Sequence, residues 1–303
     1  MNDFWRRLMS TVGEALERLR AGEGEPVPAF AARYERVYGS LTRAELHGDD
    51  GALVEADLVA DLFDVEGRSH HFLDFYSQQG LVLAFERYGF FDLLRDQGMS
   101  PILTLDLAQR DEHRLRIYDA EAAPQNLLIE LCVGLRTLDL PGGTGCRMLF
   151  INWLLMQNPR VPFAPDRPPL PDQQHPGLGL FPHFGYLLRL MAIRLSCDGL
   201  MNHPAQFHNG VLYGKFFHFV DPRIEGRFRA LERDLSRLPL REATARLARG
   251  EVVDAEGQKA KWEAAPQVAP LTPRARAWFE SYAYRQEAAK QRGAVSYRLT
   301  TPG

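Results

Sequence analysis
The sequence predicts an α/β fold: an antiparallel meander of strands, then alternating helix and strand, with helical segments before and after. Three observations carry that expectation. Residues 102–108, 113–119, 126–138 and 148–157 are apolar or alternating stretches joined by short links, the pattern of consecutive strands. Phe184, Leu187, Leu188, Met191, Ala192 and Leu195 then recur at helical spacing, which marks one apolar helix face. Asp221-Pro222 and Thr272-Pro273 each set a capping side chain before a proline, so each opens a further helix.

Taken in order, residues 3–20 read as an amphipathic helix through Phe4, Trp5, Leu8, Met9, Val12 and Leu16. It packs on its own domain or joins a second copy of the chain. Residues 21–28 are a Gly- and Pro-rich link, and 31–46 a second helix. From 55 to 97 the spacing is helical, in two pieces broken near Gly67 or Gly80, and rich in aromatic residues from Phe72 to Phe91. In the strands, Leu115 and Ile117 alternate with Arg114 and Arg116, as in a half-buried strand. Residues 127–129 and 148–156 are continuously apolar, as in central strands covered on both faces.

Prolines crowd residues 158–171 and impose extended geometry: a rigid connector, a peptide ligand for a partner, or an arm over a cleft. A short strand at 200–202, a helix over 204–215 and a strand at 216–220 follow. Helices over 222–238, 240–248 and 272–292 enclose a hairpin over 251–270, turned at Glu256-Gly257. The expected division is a helical extension over 1–46, a core over 47–221 and a helical and hairpin extension over 222–303.

Composition excludes several classes. The 303 residues are 45% hydrophobic and 25% charged, with a net charge of -3, so nucleic acid is not an expected partner. No apolar run is long enough to span a membrane, and residues 1–20 lack a secretory pattern. Cys132, Cys146 and Cys197 are few and widely spaced, as expected of buried thiols in a reducing cytoplasm.

At the centre of the chain stands Gln174-His175-Pro176-Gly177-Leu178-Gly179, after a long apolar strand and before the apolar helix. A glycine turn feeding a helix start offers converging N–H groups and a favourable dipole to an anion. Gln174-x-x-Gly177-x-Gly179 resembles the acyl-CoA pyrophosphate loop of the GNAT (general N-acetyltransferase) superfamily. Leu212-Tyr213-Gly214-Lys215, with Phe216-Phe217 after it, resembles that family's late helix and strand. The likeness covers about a quarter of the chain and extends weakly back to Pro101. The chain departs from the family pattern in the long link over 158–174, in Pro176, which removes an N–H, and in Phe217, which stands where glycine is usual.

The resemblance implies a GNAT-like mixed, mostly antiparallel sheet flanked by helices. It implies acetyl-CoA or another acyl-CoA as co-substrate, bound by Gln174, Gly177, Leu178, Gly179 and Leu180. It implies direct acyl transfer to an amine of a small molecule or protein, with Tyr213 as acid to the leaving thiolate; Tyr213 reads equally as an amphipathic core residue. For the general base the residues offer Glu130, on a central strand where burial would raise its pKa, and His208, which titrates near neutrality. Each also reads as structural: Glu130 in a salt bridge, His208 in a hydrogen bond. The main alternative is a catalytically silent GNAT-like binding or regulatory protein. A metal site built from His175, His183, His203, His208 or His218 lacks a characteristic spacing, so none is assigned.

Overall fold
The computed structural model describes residues 29–48, 71–165, 169–170 and 173–300. Among these a seven-stranded, mostly antiparallel sheet is flanked by helices, the mixed α/β architecture expected. The first helix (3–20), the link after it and Gly67 lie outside the described residues.

Two short helices come first, α1 (Ala29–Ser40) and α2 (Arg43–His47). They divide the expected second helix at Thr42, whose side chain forms a reciprocal capping box with Glu45. Helices α3 (Gln78–Tyr88) and α4 (Phe90–Arg95) meet at Gly89, which takes a left-handed conformation. The expected break at Gly80 is absent. A Cβ on Gly80 would sit 2.0 Å from the Leu46 carbonyl oxygen, so this glycine permits close packing inside a helix instead.

Strands β1 (Pro101–Gln109), β2 (Glu112–Asp119), β3 (Leu127–Leu140) and β4 (Gly143–Met156) form the expected meander. On β2, Leu115 and Ile117 point inward and Arg114 and Arg116 outward, as their alternation requires. The chain then runs through α5 (Phe181–Arg194), β5 (Gly199–Asn202), α6 (Phe207–Tyr213) and β6 (His218–Phe219). Beyond these lie α7 (Pro222–Leu235), α8 (Leu240–Ala248), β7 (Val252–Val253), β8 (Gln267–Pro270), α9 (Pro273–Glu280), α10 (Tyr282–Ala294) and β9 (Arg298–Leu299).

The sheet order is β1-β2-β3-β4-β5-β8-β6, and β4–β5 is its parallel pair. Strand β8 lies between β5 and β6 and is antiparallel to both. Residues 267–270, beyond the expected boundary at 221, thus supply a strand of the central sheet. The expected hairpin is also revised. Gly257 turns the chain and Val253 bridges Lys259, but β7 pairs with β9 and the second arm leaves to become β8. Ser281 divides the expected final helix into α9 and α10 and caps the second through Tyr284 N–H.

One sheet face, with Leu103, Leu115, Ile117, Ile129, Leu131 and Leu149, packs against α1 to α5 in the main core. At roughly 25 cal/mol per Å2 of apolar area removed from water, this burial dominates stability. The opposite face carries Met148, Met201 and Val268 against Phe279 and Tyr284 from the last helices. A further core joins α6, β6, α7 and α8 around Phe207, Phe219, Phe228 and Trp262.

Candidate functional site
The site is built where β4 and β5 part. Parallel pairing runs only from Met148–Gly199 to Ile151–Asn202, while β4 continues to Met156. At the same point β4 carries a bulge: Cys132 pairs with Trp153 and Val133 with Ile151, so Asn152 is the extra residue. A bulge bends its strand and ends pairing. Here it lies just past the point where β5 ends at Asn202, so β4 runs on without that partner. The Asn152 side chain donates to a Glu112 carboxylate oxygen at 2.5 Å.

A cavity of about 620 Å3 fills the gap. It is lined by the end of β4 from Ile151 to Met156 and by Gln157 after it, by one face of α5, by the chain from Asn202 to Asn209, and by the end of α6. Because β4 and β5 are parallel, α5 starts at the open end of the gap and runs back along the sheet.

The glycine turn sits at that open end. Its base is tied down by Asn158 N–H donating to the Pro176 carbonyl oxygen at 2.7 Å, and Leu178 and Leu180 are buried in the core. Gly177 and Gly179 are exposed, and Gly179 has φ +74°. Among the described residues, no acceptor pairs with the backbone N–H of Gly177, Leu178, Gly179 or Leu180. Leu180 precedes the helix with no capping side chain, and Pro182 stands in its first turn, so the first N–H groups of α5 have no cap. Of the expected cofactor-binding residues, Gln174 lines the cavity beside Gln173 and His175. Gly177, Leu178, Gly179 and Leu180 are not among its lining residues. Gln173 and Leu170 bring the end of the proline-rich arm to the wall.

Tyr213 lines the cavity from α6, its ring 5.7 Å from Phe181 and 5.9 Å from Phe217. Burial pushes its pKa up to about 12, so the hydroxyl keeps its proton at neutral pH and can donate it. His208, buried on α6, is also on the wall. His203 joins it, packed edge-on to Phe150 at 5.4 Å; burial lowers its pKa, which favours a neutral, proton-accepting imidazole. Tyr213 and His208 thus line the same cavity.

Glu130 is not. It is absent from the cavity lining and accepts a hydrogen bond from Arg116 Nε at 2.7 Å on the outer face of β3. That is the salt-bridge alternative.

Several wall residues were missed from sequence. Asn202 is only 7% exposed, and its Oδ1 meets no donor among the described residues. A buried polar atom without a partner is costly, and this one belongs to a cavity-lining residue. Arg189, Lys215 and Arg276 bring basic side chains to the wall, and no carboxylate residue is among the described lining residues. Trp153, 51% exposed on the bulge, closes the list. The available signals were faint: a tryptophan within an apolar strand and an asparagine ending a short one.

Other candidates have structural partners. His183 Nδ1 lies 3.0 Å from the Tyr34 hydroxyl. Glu225 accepts from Phe219 N–H and from Arg229, with His218 at 3.7 Å. The cysteines are buried, and burial pushes the Cys197 thiol up to about 11, opposite to what nucleophilic work needs. Among the described residues no group of three or more His, Cys, Asp and Glu is gathered for a metal ion, and no helix is long and apolar enough to cross a membrane.

No known protein-family profile matches the chain, and a search of curated proteins finds no match.

Proposed function
We propose that this protein transfers an acyl group from an acyl-coenzyme A thioester to an amine, on a GNAT-like fold. One observation carries the reading: β5 ends opposite Ile151 beside a bulge in its parallel neighbour β4, and a cavity lined by Tyr213, His208 and Asn202 lies beyond that point. The part of β4 beyond Ile151 has no β5 partner, so it offers amide-bearing ligands a strand edge to pair with. The pantetheine arm of coenzyme A carries such amides. The uncapped start of α5 and the exposed glycines suit its diphosphate, and the cationic, carboxylate-poor wall suits its overall negative charge.

In this mechanism the amine nitrogen attacks the thioester carbon and the C–S bond breaks. His208 or the neutral His203 takes the amine proton, and Tyr213 returns one to the thiolate. The products are an amide and free coenzyme A, with no covalent enzyme intermediate. Glu130 has no part in it. Positioning two reactants in one cleft supplies much of the acceleration.

Calorimetric titration with acetyl-CoA tests the reading. Saturable heat at micromolar to millimolar ligand is expected; folded protein that gives none ends it. A catalytically silent binding module is the second reading. It is favoured by the absence of Gly177, Leu178, Gly179 and Leu180 from the cavity wall and by Pro176. Binding of acetyl-CoA without turnover of any amine would select it.

A further inference from the structure
Helix α5 presents Pro182, Gly185, Tyr186 and Arg189 to the cavity, positions at i, i+3, i+4 and i+7 and therefore one face. Gly185 lies in the interior of this helix, where glycine is disfavoured. No positive φ requires it. Nor does packing: among the described residues, a Cβ built there meets no neighbouring atom within 4 Å. The contrast with Gly80, Gly199 and Gly226 is direct, since a Cβ on each of those would come within 2.8 Å of a backbone or side-chain atom. The bare patch at Gly185 is open space on the cavity side.

Its surroundings are ordered. The Tyr186 hydroxyl donates to Glu35 Oε1 at 2.6 Å. Arg189 donates to the same oxygen at 3.3 Å, and its guanidinium sits 5.4 Å from the Tyr186 ring centre. Phe30 of α1 completes the wall. Glu35 engages one guanidinium nitrogen, and a guanidinium has five N–H donors. The result is a ledge bordered by Tyr186 and Phe30, with an oriented cation. Arg189 lies eight residues from the start of α5, roughly 12 Å along the axis, and shares the cavity with the end of β4.

We infer that this ledge holds the nucleotide end of the acyl donor, with its base flat over Gly185 and a phosphate oxygen on Arg189. The inference rests on the acyl-CoA reading and deepens it. With the thioester placed beside Tyr213 and the end of β4, the α5 wall is left for another part of the ligand, and its rings and cation select the nucleotide end. A purine and a phosphate match two aromatic neighbours and an arginine.

The test compares acetyl-CoA with acetyl-pantetheine 4′-phosphate, which lacks the nucleotide, in the full-length parent, Gly185→Leu and Arg189→Gln proteins. The parent is expected to bind acetyl-CoA the more tightly. Gly185→Leu is expected to melt at or above the parent temperature, leucine being the better helix former, and to lose roughly tenfold or more in acetyl-CoA affinity. Its affinity for the truncated donor should stay at the parent value. Arg189→Gln, whose replaced ion pair is partly exposed, should weaken acetyl-CoA about three- to tenfold and spare the truncated donor. Unchanged acetyl-CoA affinity in both variants overturns the ledge while leaving the acyl-CoA reading intact. Equal losses for both donors also overturn it, because the ledge would then lie under the pantetheine arm. A parent protein that binds neither donor removes both the reading and the inference.

Discussion
The two halves of β4 share one strand, one apolar composition and one neighbour, β3, yet they do opposite things. From Met148 to Ile151 the strand is paired on both edges. From Asn152 to Met156 it keeps β3 and loses β5, and a cavity takes the vacant edge. Burial is therefore not what separates scaffold from site here. The halves differ in their ladders: β5 ends opposite Ile151 and one extra residue follows in β4, so backbone N–H and C=O groups are left to bind something else.

Glycines sharpen the contrast. On the closed half, Gly199 lies opposite Met148, and a Cβ there would meet the Ala269 carbonyl oxygen at 2.8 Å and the Met148 sulfur at 3.2 Å. Gly199→Val should thus cost about 3 kcal/mol, through overpacking against backbone. Chemical denaturation measures it; a variant as stable as the parent would mean the closed half tolerates opening, and the comparison fails.

On the open half the expected loss is of rate. Tyr213→Phe should lower kcat about a hundredfold, near 2.7 kcal/mol in barrier, if the phenol protonates the thiolate. The melting temperature and acetyl-CoA affinity should hold. An acyl donor with a more acidic thiol should narrow the deficit, since such a leaving group needs less protonation.

The boundary row of the sheet runs through His113, Val133, Ile151 and Asn202. His113 Nδ1 accepts the Leu73 N–H at 2.7 Å, inside a turn where Leu73 and Asp74 both have positive φ. Burial lowers the His113 pKa in the fold, against an opposing pull from Asp74. Between that lowered value and the ordinary one near 6.5, the unfolded chain binds a proton that the folded chain does not. Stability should then fall as pH drops below about 6.5 and level off above it. His113→Asn keeps an acceptor for Leu73 without titrating in this range, so urea melts across pH 5 to 8 should show a shallower slope. His183 and His203, also lowered by burial, retain the rest.

The smallest effect is expected at Glu130, which lies in the row of Leu155 on the open half but binds Arg116. Glu130→Gln should change stability by less than about 1 kcal/mol and leave kcat unaltered. A large rate loss would return Glu130 to the mechanism.

Much of the scaffold was legible because it rests on local physics. Alternation at Leu115 and Ile117 gave β2, the periodic stripe from Phe184 gave α5, and Asp221-Pro222 and Thr272-Pro273 gave helix starts with the caps observed. Partner choice was not legible. Nothing in Gln267 to Pro270 says that its neighbours are β5 and β6, because that pairing depends on residues far away in sequence. The bulge at Asn152 leaves no local mark either, so the end of β4 read as one more covered strand. Tyr213 and His208 were reached from sequence, while Asn202, His203, Arg189 and Gly185 become neighbours of one cavity only when α5 folds back over the sheet.

The position of β8 has a consequence for biosynthesis. A chain emerging from the ribosome presents β5 and β6 well before residues 267–270 arrive to separate them. Until then β5 exposes a hydrogen-bonding edge that another nascent chain could capture. Protein truncated at residue 221 should collect in inclusion bodies, and protein that includes residues 267–270 should not.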